Sequence, residues 1–132
     1  MSAEKLVIDL GQCDPDHGSI KRLVESLGFS VIRAHTAVEV KRLVRERQVA
    51  LVLVNRIFDA DGGNGLDCIK ELVEMTKVPG FLNPKMVVML VSNYPEYQEQ
   101  AVQLGAASGF GKAQLRDVST AEMLKTAVMG ER

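Results

Sequence analysis

The chain has 132 residues, the length of one domain spanning 1–132, and is long enough to bury a substantial core. Hydrophobic residues make up 46 % and charged residues 25 %, and a net charge of −1 excludes the broad basic footprint of a nucleic-acid binder. MSAEKLVIDL lacks a secretory-signal layout, no apolar run reaches the length of a membrane span, and Cys13 and Cys68 make neither a metal-type pair nor a disulfide framework, so a soluble, cytoplasmic protein with reduced thiols is expected.

Lys5–Leu10, KLVIDL, reads as a short apolar strand. Asp14-Pro15 has the form of an N-cap followed by proline at the first helical position. Ile20, Leu23, Val24 and Leu27 then supply one apolar helix face, ended by Gly28. Ser30–Ala34 is a second strand, and Thr36-Ala-Val-Glu39 is a capping box for a helix burying Val40, Leu43 and Val44. Val49–Val54 is the third strand, with the polar Asn55 at its end. Asp59–Gly65, DADGGNG, is a glycine-rich turn before a helix marked by Leu66, Ile69 and Val73. Met86–Val91 is the fourth and most apolar strand. Asn93 and Glu96 bracket the next helix start, Tyr97, Ala101 and Leu104 form its inner face, and Gly105 ends it. Ala107–Gly111 is a weak fifth strand. Ser119-Thr-Ala-Glu122 is a second capping box, opening a helix with Leu124, Ala127 and Val128 inward.

Strands alternating with helices give an α/β fold, a doubly wound five-stranded parallel sheet with helices on both faces. The compact order is 2-1-3-4-5, the flavodoxin-like three-layer sandwich, whose ligand crevice lies at the carboxyl ends of strands 1 and 3. Asp9, Asn55, Ser92 with Asn93, and Lys112 stand at those ends. An acid, an amide, a hydroxyl and an ammonium are thus expected along one edge.

LVID in strand 1, DPD at Asp14–Asp16, LVLVN, GLDCI, VVMLVS, and AVQLGAASGFGK up to Lys112 together resemble the receiver domains of two-component response regulators, over Lys5 to about Ala113. The resemblance implies this same fold and a chemistry of phosphoryl transfer to an aspartate at the end of strand 3. It also implies an acidic pair after strand 1 that helps hold Mg²⁺, and a Ser or Thr after strand 4 and a Lys after strand 5 that contact the phosphoryl oxygens. By position, Asp9 matches the first acid, Ser92 the hydroxyl and Lys112 the lysine, whereas Asn55 falls on the phosphoacceptor and Leu10 on the second acid. Gly109 stands at the switch aromatic, with Phe110 one place later, and Ala113 replaces the usual proline. The first loop and the loop after strand 3 are each about two residues longer than the family spacing, by alignment with its pattern.

An amide is neutral and a poor nucleophile where acyl phosphate formation needs a carboxylate. Mg²⁺ prefers carboxylate and water oxygens, so no cofactor is expected, and any metal would bind weakly through Asp9 and, if it swings back, Asp14. The other reading of Asp14 is the cap of helix 1. Asp9 is expected to pair with Lys112, imitating a neutralised site. Asn55→Asp alone is expected to restore little phosphorylation, and Leu10→Asp added to it rather more.

Rival sites are weaker. Asp59, Asp61 and Asn64 suggest a Ca²⁺ loop, but Asn64 and Lys70 occupy the positions where Gly and Glu are required. Cys13, Asp14, Asp16 and His17 match no zinc spacing, and Cys13 is expected to pack as a small hydrophobe. The leading expectation is a non-enzymatic, phosphorylation-independent pseudo-receiver, without an attached output domain. It would bind signalling proteins or itself through the face of helix 4, strand 5 and helix 5, near Tyr97, Ala101 and Arg116, with no nucleic-acid or membrane partner. The alternatives are a receiver still switched by metal or phosphate through Asp14 and Asp59, and a small-molecule binder using the crevice.

Overall fold

The computed structural model describes residues 5–130; the first four residues of the segment read for a signal, and the last two of the domain drawn over 1–132, lie outside them. The strands are β1 (Leu6–Leu10), β2 (Ser30–Ala34), β3 (Leu51–Asn55), β4 (Val87–Val91) and β5 (Ala107–Phe110). The helices are α1 (Asp14–Ser26), α2 (Ala37–Glu46), α3 (Gly65–Thr76), α4 (Pro95–Gln103) and α5 (Val118–Met129), with a 3₁₀ turn at Lys112–Gln114. All pairings are parallel and the order is β2-β1-β3-β4-β5, as the alternation of elements implies. Among the described residues no helix is long and apolar enough to cross a membrane.

The strands read as near-continuous apolar runs because helices cover both faces of the sheet. Val7, Leu51, Leu53, Met89 and Val91 pack with Ile20 and Val24 of α1 and Leu124 of α5. Ile8, Leu10, Val52, Val54 and Leu90 point the other way, to Val40, Val44, Ile69, Leu72 and Ala101. Each fully buried aliphatic side chain contributes about 1.5–3 kcal/mol. The period-2 alternation of a strand therefore sends Asp9 and Leu10 to opposite faces of the sheet.

Helix starts differ from the sequence reading. Cys13, not Asp14, holds the cap position of α1; Asp14 is the first helical residue and Pro15 the second, so the proline keeps its place in the first turn while the cap moves one residue back. Thr36 Oγ1 does accept from Glu39 N at 3.2 Å, but Glu39 Oε1 accepts from His35 N, one residue before the expected partner. α4 is capped by Tyr94 with Pro95 following, because Asn93 Oδ1 is taken by the Ala113 N–H. α5 starts at Val118, one residue before the expected box, and its Asp117 cap makes no side-chain hydrogen bond. β1 begins at Leu6 rather than Lys5, β3 begins at Leu51 rather than Val49 and takes in Asn55, and β5 stops at Phe110.

The two lengthened loops lie against each other. Asp59 N donates to Gly11 O at 2.9 Å, and Phe58 N donates to Gly63 O at 2.9 Å. The Phe58 ring is 1 % exposed and rests on both glycines; a Cβ at Gly11, whose φ is +84°, would run into it. The additional residues thus carry an aromatic plug between the two loops rather than an open metal loop.

Candidate functional site

β1 and β3 lie side by side, with Asp9 opposite Leu53 and Leu10 opposite Val54. Asp9 therefore shares its face with Asn55, two residues further along β3. Asp9 is fully buried, and its Oδ2 lies 2.7 Å from His17 Nδ1, one turn into α1. Burial pushes the Asp9 carboxyl up to about 6, opposed by the hydrogen bond and charge of His17 and more weakly by the neighbouring Gln12 amide and Arg33. Its Oδ1, both polar atoms of the Gln12 side chain and Arg33 Nε are buried without a protein hydrogen-bond partner among the described residues. Buried groups of this kind are commonly met by ordered water.

The expected Asp9–Lys112 pair does not form. Lys112 Nζ donates to Asp16 Oδ2 at 2.7 Å, and Cys13 Sγ donates to the same oxygen at 3.2 Å. This ammonium, ahead of the opposing effect of burial, lowers the Asp16 carboxyl below its ordinary range. Cys13 is therefore a half-buried donor rather than a packed hydrophobe. His17 displaces Lys112 because α1 carries the imidazole directly over the end of β1, whereas Lys112 approaches from β5, three strands away in the sheet.

The Asn55 amide at the end of β3 is engaged through both of its polar atoms. Its Nδ2 donates to Gly11 O at 3.0 Å and to Ile57 O at 2.8 Å, while Oδ1 accepts from Arg56 N at 3.1 Å. Both N–H bonds of the amide staple the β1–α1 loop to the β3–α3 loop. A carboxylate has no hydrogen to give those carbonyls.

Asp14, the other acid proposed for a metal, is exposed and pairs with Arg33 at 2.8 Å. Leu10 is fully buried on the opposite face, in the cluster that contains Phe58. Asp59 is exposed, and its backbone, not its carboxylate, meets the crevice loop. The residues present do not fit Mg²⁺: one acid is held by histidine, one by arginine, and the amide oxygen faces its own backbone. Among the described residues no group of three or more His, Cys, Asp or Glu is placed to hold a metal ion. In the glycine-rich turn, Asn64 caps α3 by accepting from Leu66 N and Asp67 N, and Asp61 accepts from Gly63 N.

On the β4 side, Ser92 Oγ accepts from Tyr94 N at 3.2 Å. Gln98 of α4, which sequence reasoning missed, is the organising residue there. Its Nε2 donates to Leu90 O at 2.9 Å, Ser92 O at 3.1 Å and Phe110 O at 3.3 Å, and its Oε1 accepts from Gly109 N at 3.1 Å. The side chain fills the break in the β4–β5 register between Met89 and Val91. A Cβ at Gly109 would collide with Leu90 O and crowd Gln98 Oε1, so the place expected for a switch aromatic is closed to any side chain. Ala101, expected on the inner face of this helix, is fully buried there and so is not available to the interaction surface it was also assigned to, while Tyr97 stays half-exposed with the Arg56 guanidinium 4.2 Å from its ring centroid. Cys68 is buried and offers no reactive thiolate: burial and Glu71 push its thiol up to about 12.

The sequence matches no protein-family model and no curated protein. Solved structures do match. The chain is similar to a response regulator from Thermotoga maritima, at 22 % identity over 96 % of this chain and 99 % of that one, with a TM-score of 0.74. It is also similar to the signal receiver domain of an HD domain-containing protein from Pseudomonas fluorescens Pf-5, at 14 % identity over 98 % and 90 %, with a TM-score of 0.78. A response regulator protein from Burkholderia pseudomallei, whose structure contains a phosphorylated aspartic acid, a calcium ion and citrate, matches at 18 % identity over 98 % and 76 %, with a TM-score of 0.66. The chain has the fold of a CheY-like response regulator receiver domain.

Proposed function

We propose that this chain is a phosphorylation-independent receiver-like module of signal transduction, acting through protein–protein contact rather than as an enzyme and without Mg²⁺. The observation that carries the reading is the Asn55 amide, whose two N–H bonds are both spent on the Gly11 and Ile57 carbonyls. The residue at the end of β3 therefore serves as a clamp between loops and offers no carboxylate oxygen to a phosphoryl group. The phosphorylated aspartic acid of the Burkholderia protein illustrates the chemistry that an acid makes available on this fold.

Other cytoplasmic signalling proteins, or a second copy of the chain, are the partners this reading requires. The surface of α4, β5 and α5 suits them: Tyr94, Val102 and Val118 leave apolar area in solvent, and Gln98 holds α4 to the sheet. The alternative switch through Asp14 and Asp59 has less support, because Arg33 engages the first and the second is exposed beside the Phe58 plug. The small-molecule reading is opposed by that same plug, which fills the space between Gly11 and Gly63.

The test is intact mass after incubation with a small acyl phosphodonor and Mg²⁺. The mass is expected to stay unchanged. A phosphoryl adduct labile to acid and base, mapped to any aspartate, overturns the reading.

A further inference from the structure

A cavity of about 360 Å³ opens where α1 meets the segment after β5, apart from the Asn55 crevice. Ser19 and Arg22 of α1 line it from one side, and Lys112, Ala113, Leu115 and Arg116 from the other. Three of the six lining residues are cations and none is an acid, in a chain whose net charge is −1. The concentration of positive charge is therefore local.

These cations are poorly neutralised. Among the described residues, Arg22 Nη2 reaches only the Ser19 hydroxyl, at 3.4 Å. Arg116 makes no hydrogen bond or ion pair among the described residues. Lys112 is shared: its Nζ donates to Asp16 Oδ2 at 2.7 Å, and Asp16 lies outside the lining. Asp117, on the adjoining segment, is exposed and also outside it. A solvated face would account for one free arginine. Two exposed arginines and a half-buried lysine lining one concavity give it a positive potential, which an anion bound there would neutralise. Guanidinium forks match the paired oxygens of phosphate, and a lysine adds a point charge.

We propose that this cavity is an oxyanion site for a phosphate monoester or free phosphate, held by Arg22, Arg116 and Lys112 with the Ser19 hydroxyl beside them. It is independent of the fate of Asn55, since no residue of that crevice other than Lys112 lines it. Lys112 couples the site to Asp16: the bound anion and the Asp16 carboxylate compete for one ammonium.

The experiment is a backbone-amide NMR titration of the full chain with inorganic phosphate, at constant ionic strength in chloride. Saturable shifts are expected at Ser19, Arg22 and Lys112–Arg116. Arg22→Ala and Arg116→Ala should each weaken binding by about tenfold, and Asp16→Asn, which frees Lys112, should tighten it by about threefold. Lys125→Ala, on the outer part of α5, should leave affinity unchanged and serves as the charge-matched control. A blocked phosphoserine amide titrated in parallel separates the sources: tighter binding than inorganic phosphate assigns the site to a modified side chain, and equal or weaker binding assigns it to the free anion. Shifts that stay linear in phosphate, shifts centred on Asn55 and Ser92, wild-type affinity in both arginine variants, or no tightening in Asp16→Asn each overturn the proposal.

Discussion

The two flanks of the crevice are built on opposite plans. On the β1–β3 flank a carboxyl is fully buried against one histidine, and four polar atoms of Asp9, Gln12 and Arg33 find no protein partner among the described residues. On the β4–β5 flank one glutamine side chain makes four hydrogen bonds and closes a gap in the sheet. Buried charge without full pairing costs stability, whereas a satisfied polar network fixes one arrangement. The first flank therefore retains the polar character of a chemical site while destabilising the fold. The second is braced by the glutamine that joins α4 to β4 and β5.

The largest effect that sharpens this contrast concerns Leu10. Leu10→Asp, expected from alignment to help complete the site, instead places a carboxyl in the apolar layer with Leu6, Ile8, Val54 and Phe58. It should cost at least about 4 kcal/mol or abolish folding, and Mg²⁺ should not restore it. Urea unfolding with Mg²⁺ and with chelator measures this. Recovery in Mg²⁺ would place the side chain in the crevice and break the two-face assignment.

Next comes the pH dependence of the destabilised flank. The folded chain holds the Asp9 proton up to about pH 6, against an ordinary 3.8, so the unfolded chain ionises first. Stability from this group is highest below about pH 4, falls as pH rises to about 6, and is flat above; the full span is about 3 kcal/mol. Asp16 opposes it, since a lowered carboxyl loses stability as pH falls. The stability of wild type minus that of Asp9→Asn isolates Asp9, and that difference should decline between pH 4 and 7. A difference that rises instead would mean that His17 stabilises the charged form more than burial opposes it.

Gln98→Leu probes the braced flank. Removing its amide leaves the Leu90, Ser92 and Phe110 carbonyls without this donor and the Gly109 N–H without its acceptor, at a cost of about 2–3 kcal/mol. Amide exchange at Gly109 should quicken while β1 is unaffected. A loss below about 0.5 kcal/mol would show that water replaces the glutamine and that the flank is not braced.

The smallest effect is expected at Asn55, which is partly exposed. Asn55→Asp removes both donated bonds and sets a carboxylate against the Gly11 and Ile57 carbonyls, costing about 1–2 kcal/mol. Slow or absent phosphorylation should accompany it, because Leu10 faces the other layer and Lys112 is engaged by Asp16. Rapid phosphorylation of this single variant would mean that the loops reopen once the clamp is gone.

The elements were legible wherever the signal was a repeating apolar pattern. KLVIDL, SVIRA, LVLVN and MVVMLV stand out because strands covered on both faces are apolar throughout, and i, i+3, i+4, i+7 spacing marks one face of each helix. Gly28 and Gly105 end their helices with φ of +90° and +106°, as glycine allows. Caps were less legible. Asp14, Asn93 and Ser119 are good capping residues that lie next to better-placed neighbours, and a side chain engaged elsewhere cannot also cap.

Strand order, and the arrival of Asp9, Asn55, Ser92 and Lys112 near one edge, followed from the sequence alone. Chain order, periodicity and the handedness of crossovers are local rules with few solutions. Which partner each of those residues takes was decided only by the tertiary structure. Asp9 meets His17 rather than Lys112, Leu10 turns away from the crevice, the Phe58 plug rests on Gly11, and Gln98 crosses from α4 to close the β4–β5 gap. Those contacts join segments far apart in the chain at hydrogen-bond and van der Waals range. A shift of one residue in a loop changes them completely while leaving every apolar pattern intact.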